Sequence, residues 1–506
     1  MKISIFYKGK SCYHGANIDG STMAHVTFIQ TEWFEQLGIL SLVAAAKKKG
    51  HTVSLLLGHR PKKLAGRVLE LKSDVVAFSS TTGAHRAALS IAREIRSDYD
   101  GIILLGGPHS TFFPEVINDS VLDAIFRGEG DLAFPEMLSR LDREDDWKTL
   151  PGFWVKDNGL IIQNPSADLI TDLDSLPFPD RESLMEADPW FRKLSMRSVV
   201  SGRGCPYSCT YCFNAAMREL VKGKGPYVRT RSVENLIAEL KILKEMGART
   251  INFQDDSFGL NKSWALEFLD RYKKEIGLPF LVNLRPEQIY SEMIASLTEA
   301  GCYCVQMGLE SAVSRLRQEV LGRNISDKAM EDAARRIKDA GIRLLAYNIV
   351  GLPDEKLQDA KATIEWNARM QVDFPRISIF QPYPRTTLGE KVLGKMKDEQ
   401  IEKDNIKKRK SPDNNISDHL SVSYFRRSPF KDKETRHIEN LQKLFYLYIK
   451  IPWLRKVIMG LIRLPRNPVF DMIFLFSMAL QYRRSTNRTF TELVNVGFRN
   501  LRAYFN

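Results

Sequence analysis

Three cysteines, Cys205, Cys209 and Cys212, stand in the run Gly-Arg-Gly-Cys-Pro-Tyr-Ser-Cys-Thr-Tyr-Cys-Phe. With three and then two residues between them, their thiolates can wrap a short loop around one small metal centre, yet they supply three ligands where a closed site takes four. An open coordination position is what a reactive centre needs. The alternatives are a zinc knuckle and buried, inert thiols. Zinc completes its shell with further Cys or His, and no histidine stands between His109 and His419. The remaining cysteines are Cys12, Cys302 and Cys304. The last two share the period of one strand face, which favours core packing over a second metal site.

The aromatic Tyr211 before the last cysteine and the glycines before the first make this loop resemble that of the radical S-adenosylmethionine (SAM) superfamily, Cys-x3-Cys-x-aromatic-Cys. The resemblance implies that the three thiolates hold three irons of a [4Fe-4S] cluster, with SAM chelating the fourth iron and Tyr211 and Phe213 lining its site. Reductive cleavage of SAM then gives methionine and a 5'-deoxyadenosyl radical. Other residues take roles at strand ends. Asp255 and Asp256 follow a strand ending at Phe253, where a carboxylate can accept the SAM ammonium; Asp256 or Ser257 could equally cap a helix N-terminus. Asn283 and Arg285 end the next strand, and the guanidinium suits the SAM carboxylate. Gly308-Leu309-Glu310-Ser311 is similar to a Gly-x-Glu-Ser element that binds SAM in related enzymes, the alternative for Glu310 being a salt bridge to Arg285 or Arg343. Gly351, in Asn-Ile-Val-Gly-Leu-Pro-Asp, resembles the segment flanking the adenine. Tyr383 and Arg385, in Gln-Pro-Tyr-Pro-Arg-Thr-Thr, resemble a substrate-side loop and are the candidate catalytic residues; scaffolding by the two prolines is the other reading.

Two strand-helix alternations must position these groups. From Met1 to about Arg140, apolar runs at Ile3–Tyr7, Thr52–Leu57, Val75–Ser79, Ile102–Leu105 and Ala124–Arg127 alternate with helical patterns at Leu37–Lys49 and Gly83–Ser97. This predicts a parallel, doubly wound α/β sheet whose ligand lies beyond the strand ends. There stand Ser79, Ser80 and Thr81, then Gly106, Gly107 and His109, then Gly128, Glu129 and Gly130. With Leu-Gly-Gly-Pro-His-Ser-Thr and Arg-Gly-Glu-Gly-Asp in this order, the segment resembles the cobalamin-binding domain that precedes the barrel in one radical SAM subgroup, and the resemblance assigns cobalamin to those nine residues. The Asp-x-His-x-x-Gly motif that supplies a lower cobalt ligand is missing, and Cys12, His14 and Asp19 do not reproduce it.

From Met196 to about Gln381, six strand runs (197–201, 250–253, 280–284, 304–308, 343–350 and 376–380) alternate with helical patterns at 232–246, 262–276, 290–300 and 327–340. Six units in succession predict a barrel with its chemistry at the carboxyl ends of the strands, and the resemblance specifies a partial (β/α)6 barrel. The expected organisation is a Rossmann-like cobalamin-binding domain (1–145), a proline-bearing linker (146–192), a radical SAM barrel (193–395) and a basic, mainly helical C-terminal extension (396–506). The stretch 403–418 reads as a charged surface segment.

Composition bounds the rest. A chain of 506 residues, 43% hydrophobic and 27% charged, supports two or three globular domains. Lys plus Arg exceed Asp plus Glu by 74 to 61, a net +13 that suits an anionic partner without choosing one. Sparse cysteines and a thiolate-held iron centre point to the cytoplasm. No apolar run is long enough for a transmembrane helix, and the first residues lack a signal-peptide pattern. The tail reads as a helical appendage packed on the barrel or as a surface for peripheral contact with a membrane or a hydrophobic substrate. The reading is a radical SAM enzyme using the cluster, SAM and cobalamin to methylate an unactivated carbon of a small-molecule or lipid-like substrate, fed by an external donor such as flavodoxin or ferredoxin. Alternatives are cobalamin-dependent cyclisation, oxidation or rearrangement, as in anaerobic magnesium-porphyrin cyclases, and a non-catalytic sensor. Nucleic acid is not the expected partner, because RNA-modifying relatives carry extra N-terminal cysteines.

Overall fold

Short β-branched and apolar runs closed by Gly, Ser or Asp set the strands. The computed structural model describes residues 23–395, 428–430 and 432–486, together with 492, 494, 495, 497 and 499. Its first sheet contains β1 (His25–Gln30), β2 (Thr52–Leu57), β3 (Val75–Ser79), β4 (Ile102–Gly106), β5 (Ala124–Phe126), β6 (Phe153–Asp157) and β7 (Leu160–Gln163), in the order β2-β1-β3-β4-β5-β6-β7. The first five strands run parallel. Helices Leu37–Lys48 and Ala133–Asp142 bury their apolar faces on one side, while Pro61–Leu71 and His85–Arg96 pack on the other. This is the expected doubly wound arrangement.

One expected strand is untested, and a strand and the extent of the sheet differ from the sequence reading. The predicted strand at Ile3–Tyr7 lies outside the described residues, as do Cys12, His14 and Asp19. The strand flanked by β2 and β3 is His25–Gln30, whose polar members obscured it. Thr27 and Gln30 are buried, with Thr27 Oγ1 2.6 Å from Ser73 Oγ and Gln30 Nε2 donating to the Phe34 carbonyl at 2.8 Å. The sheet also continues past residue 145. Asn158 and Gly159 take φ of 48° and 82°, the turn that closes a tight hairpin, and β6 and β7 extend the sheet antiparallel to β5.

The second sheet contains β8 (Met196–Val199), β11 (Thr250–Phe253), β12 (Phe280–Leu284), β13 (Cys302–Glu310), β14 (Arg343–Val350) and β15 (Phe374–Ile379), all parallel and in that order. Between β8 and β11 a two-residue ribbon pairs β9 (Gly202–Arg203) with β10 (Arg229–Thr230). Helices Val233–Glu245, Lys262–Glu275, Ser291–Glu299, Asp327–Asp339 and Leu357–Arg369 return the chain between strands. Met196, Leu281, Cys304, Leu345 and Phe374 form one small apolar group, while Cys302 packs in the large core against the helices. The two cysteines therefore do not share a face; a register shift between Phe280 and Leu281 separates them. Both are buried.

Strand β15 ends the sheet, and an open edge needs a cover. Helix Lys433–Lys450 supplies one: Gln442 Nε2 donates to the Ile377 carbonyl at 2.9 Å. Helices Arg455–Leu461 and Pro468–Ser485 follow, and Tyr303 Oη donates to the Ser485 carbonyl at 3.0 Å. The charged stretch 403–418 lies outside the described residues.

Candidate active site at the domain seam

The loop after β8 carries the three thiols. Asp255, buried at the end of β11, accepts from Ser201 N at 2.9 Å, Gly202 N at 3.0 Å and Ser201 Oγ. It therefore anchors the start of the loop, although desolvation pushes its carboxyl up to about 6. Gly204, with φ of 86°, follows; a Cβ there would sit 2.2 Å from the Tyr227 carbonyl oxygen. The far end is tied down by Thr210, whose N donates to the Leu321 carbonyl at 3.1 Å and whose carbonyl accepts from Leu388 N at 2.8 Å. Cys212 occupies the N-cap position of helix Phe213–Leu220 without a side-chain capping bond, and the N-terminal dipole there favours an anion.

Burial pushes the Cys205 and Cys212 thiols up, so a bound cation must offset that to hold thiolates. Arg285 already contributes positive charge: its Nη1 donates to Cys209 Sγ at 3.6 Å and its Cζ lies 3.5 Å from the Tyr207 ring centroid. Among the described residues no three His, Cys, Asp or Glu side chains converge as ligands of one metal ion. The donor set fits a polynuclear cluster held by three thiolates with one metal left open.

Around this loop the strand ends present polar groups. Asp256 keeps part of its surface in solvent, unlike its neighbour; desolvation of the carboxyl raises its pKa, and a hydrogen bond with Asn214 opposes that rise. The helix-cap alternative does not hold, because the next helix is capped by Asn261. Arg285 Nη2 donates to Glu287 at 3.0 Å, while its buried Nε and Asn283 Oδ1 have no partner. These orphaned polar atoms at the mouth suit a polar ligand. Glu310 is buried at a φ of 63° and accepts from Arg323 Nη1 at 3.0 Å. Arg323 also donates to Tyr211 Oη at 3.3 Å and to the Gly308 carbonyl at 2.8 Å. The partner of Glu310 is thus Arg323, which sequence reasoning missed, and neither Arg285 nor Arg343. Ser311 turns away, fully buried against Thr363. Gly351, φ 75°, follows β14, and a Cβ built there would be in ordinary van der Waals contact with Ile379 and Ser428 at 3.7 and 4.0 Å.

The other wall of the site is the first domain. Gly107, φ 90°, brings two loops together, since a Cβ there would lie 2.6 Å from Ser79 Oγ and 2.8 Å from Ser80 N. His109 Nδ1 is 3.2 Å from Thr82 Oγ1, and its buried ring stacks on His85 at 3.5 Å. Desolvation drops its pKa to about 3, so the imidazole is neutral. Gly128, φ 98°, has no neighbour nearer than Met217 Cε at 4.0 Å from a built Cβ. Bare backbone at the strand ends, with Ser80 and Thr81 beside it, is a cradle that fits a large planar cofactor. Glu129, expected at the cofactor, has its carboxylate engaged by the second domain. Its carboxylate accepts from Arg203 Nη1 at 3.1 Å and Arg229 Nη1 at 2.9 Å, and Asp131 takes both Arg203 Nη groups at 2.9 and 3.0 Å. Four side chains thereby bolt the loop after β5 to the β9–β10 ribbon beside the thiols.

Tyr383 and Arg385 lie on the same seam. Phe112 of the first domain meets Phe213 at 4.6 Å, and Phe213 meets Tyr383 at 5.3 Å. Arg385 Nε donates to the Phe112 carbonyl at 3.1 Å.

Residues 199–366 match the radical SAM superfamily and residues 32–138 match the B12 binding domain. An uncharacterized methyltransferase of Pyrococcus horikoshii is 30% identical over 69% of this chain and 77% of its own. The anaerobic magnesium-protoporphyrin IX monomethyl ester cyclase of Rubrivivax gelatinosus is 25% identical over 69% of this chain and 62% of its own. Among solved structures, the radical SAM methyltransferase TsrM of Kitasatospora setae, with cobalamin and a [4Fe-4S] cluster bound, superposes with a TM-score of 0.63 at 16% identity, covering 74% of this chain and 75% of that one. That likeness is one of fold.

Proposed function

Because the chain belongs to the radical SAM superfamily, in the group that carries a B12-binding domain ahead of the barrel, we propose that it transfers a methyl group to an unactivated carbon of a small-molecule or lipid-like substrate. The family's cofactors are a [4Fe-4S] cluster, SAM and cobalamin; when bound, they supply the substrate-activating radical and the methyl group. The observation that carries the reading is the seam, where the loops of both domains come together over the thiols through Phe112, Phe213, Tyr383 and Arg385. Two cofactors held on facing walls gain the proximity that such a transfer needs.

In this proposal Cys205, Cys209 and Cys212 ligate the cluster. Asp256, rather than the fully engaged Asp255, receives the SAM ammonium. Arg285 pairs with the SAM carboxylate, Glu310 with Arg323 fixes the wall behind Tyr211, and Gly351 flanks the adenine. Ser79, Ser80, Thr81, Gly106, Gly107, Gly128 and Gly130 cradle the cobalamin, His109 stiffens the cradle, and Glu129 holds it to the barrel. Tyr383 and Arg385 face the substrate. Electrons arrive from an external donor such as a flavodoxin or ferredoxin.

Cyclisation without methyl transfer is the second reading, favoured by the Rubrivivax relative. Anaerobic reconstitution with iron, sulfide and hydroxocobalamin, then incubation with SAM and reductant, tests both. Deoxyadenosine with S-adenosylhomocysteine and a methylated product supports methylation; deoxyadenosine with an unmethylated product supports the second reading. Cys209→Ala is expected to abolish deoxyadenosine while leaving the cobalamin spectrum intact. Deoxyadenosine formation by that variant would refute the ligand assignment.

A further inference from the structure

The C-terminal helices leave a surface that the catalytic reading does not use. Eight of the sixteen large apolar side chains exposed among the described residues fall between Trp453 and Phe476. On the first helical stretch the exposed positions Trp453, Val457, Leu461 and Leu464 recur every three or four residues, opposite the buried Ile458 and Ile462. On Pro468–Ser485 the exposed Val469, Met472, Leu475 and Phe476 form a second stripe, opposite the buried Phe470 and Phe474. That helix is therefore apolar on the side it packs and on the side it shows, a pattern that belongs to helices with two apolar neighbours. Trp453 is 76% exposed and Phe476 72%, far more than single surface apolar residues explain.

Charge selects the neighbour. From 453 to 484 the sequence holds Arg455, Lys456, Arg463, Arg466, Arg483 and Arg484 against one acid, Asp471, and Asp471 lies 3.3 Å from Lys443. Lys456, Arg463, Arg483 and Arg484 are exposed at the margins of the stripes. Apolar side chains flanked by cations match the acyl boundary and headgroups of an anionic bilayer. None of the described helices is long and apolar enough to cross a membrane, so the contact lies in the interface plane. We propose that the helices from Trp453 to Arg484 dock this protein on the face of an anionic phospholipid bilayer.

The test is flotation of the full-length protein with vesicles of phosphatidylcholine alone and of phosphatidylcholine mixed with phosphatidylglycerol. The protein is expected to float with the anionic vesicles, and added salt to release it. Trp453→Ser with Phe476→Ser should cut partitioning by about a hundredfold or more, because both rings then no longer enter the acyl boundary. Arg483→Glu with Arg484→Glu should reduce binding to anionic vesicles and leave the visible spectrum of the reconstituted protein unchanged. Flotation that is absent, or that persists undiminished in the Trp453→Ser, Phe476→Ser variant, overturns the proposal. So does a wild-type dimer that the same variant converts to monomer, since a second copy would then own the surface.

Discussion

Gly204→Ala isolates what the backbone does for the thiol loop. At φ of 86° any side chain meets the left-handed penalty, and a Cβ at 204 would lie 2.2 Å from the Tyr227 carbonyl oxygen and 2.9 Å from its carbon. Real Cβ atoms keep at least 3.0 Å, so backbone must move by the difference, about 0.8 Å. The pieces available to move are the loop that ends at Cys205 and the ribbon whose Arg203 and Arg229 grip Glu129. Gly223→Ala is the control: its φ is 78°, with nothing within 4 Å of the built Cβ. Both variants bear the left-handed cost of about 1–2 kcal/mol, and only Gly204→Ala also displaces the loop. A misplacement approaching 1 Å at a reacting centre costs about a hundredfold in rate. Iron content, visible absorption after reconstitution and deoxyadenosine yield are the assays. Gly223→Ala should keep all three, and Gly204→Ala should lose iron and cleave SAM about a hundredfold more slowly. Equal iron and equal cleavage in the two variants would refute the reasoning.

Two further substitutions test the interior. Arg323→Met strands the buried Glu310 carboxylate, whose guanidinium partner lies at 3.0 Å with both side chains under a tenth exposed; urea unfolding should show a loss of about 3–5 kcal/mol, and a change below about 1 kcal/mol would contradict it. Glu355 is buried with Oε1 unpartnered, and burial pushes its carboxyl up to about 8. The folded state then binds a proton that the unfolded state has released from about pH 4.3 upward, so stability falls as pH rises towards 8 and stays lowered above it. Glu355→Gln should remove that part of the fall between about pH 5 and about pH 9, measured by denaturant midpoints. Identical pH profiles for the two proteins would sink the assignment.

Local patterns marked most strands because they are apolar runs bounded by turn residues. Thr52–Leu57 and Val75–Ser79 form as read, and β11, β12 and β14 keep their expected bounds. Strand ends likewise located the thiols, Asp256, Arg285 and Glu310 around one mouth, because loops and end residues gather where strands stop. His25–Gln30 escaped because buried Thr27 and Gln30 break the apolar run: Thr27 finds its partner in the distant Ser73, while Gln30 donates to the carbonyl of nearby Phe34. The hairpin at Asn158-Gly159 was legible from its turn dipeptide, which the prolines farther along overshadowed. Arg203, Arg229 and Arg323 could not be found from spacing: each looks like an ordinary basic residue until the fold delivers a carboxylate from distant sequence. The ion pairs of Glu129 were hidden for the converse reason, since a carboxylate beside a glycine-rich loop reads as a ligand contact when its counter-ions sit in another domain.

The bolt between Glu129, Asp131, Arg203 and Arg229 also determines how the polypeptide can be cut. Excised at the domain boundary, the N-terminal piece would display two neighbouring carboxylates stripped of their guanidinium partners, and the barrel piece would show two bare arginines beside its thiol loop. Each fragment would repel itself where the intact chain attracts. Mixing the fragments should therefore restore a heterodimer whose affinity declines as ionic strength rises, with electrostatic registration built in before either cofactor arrives.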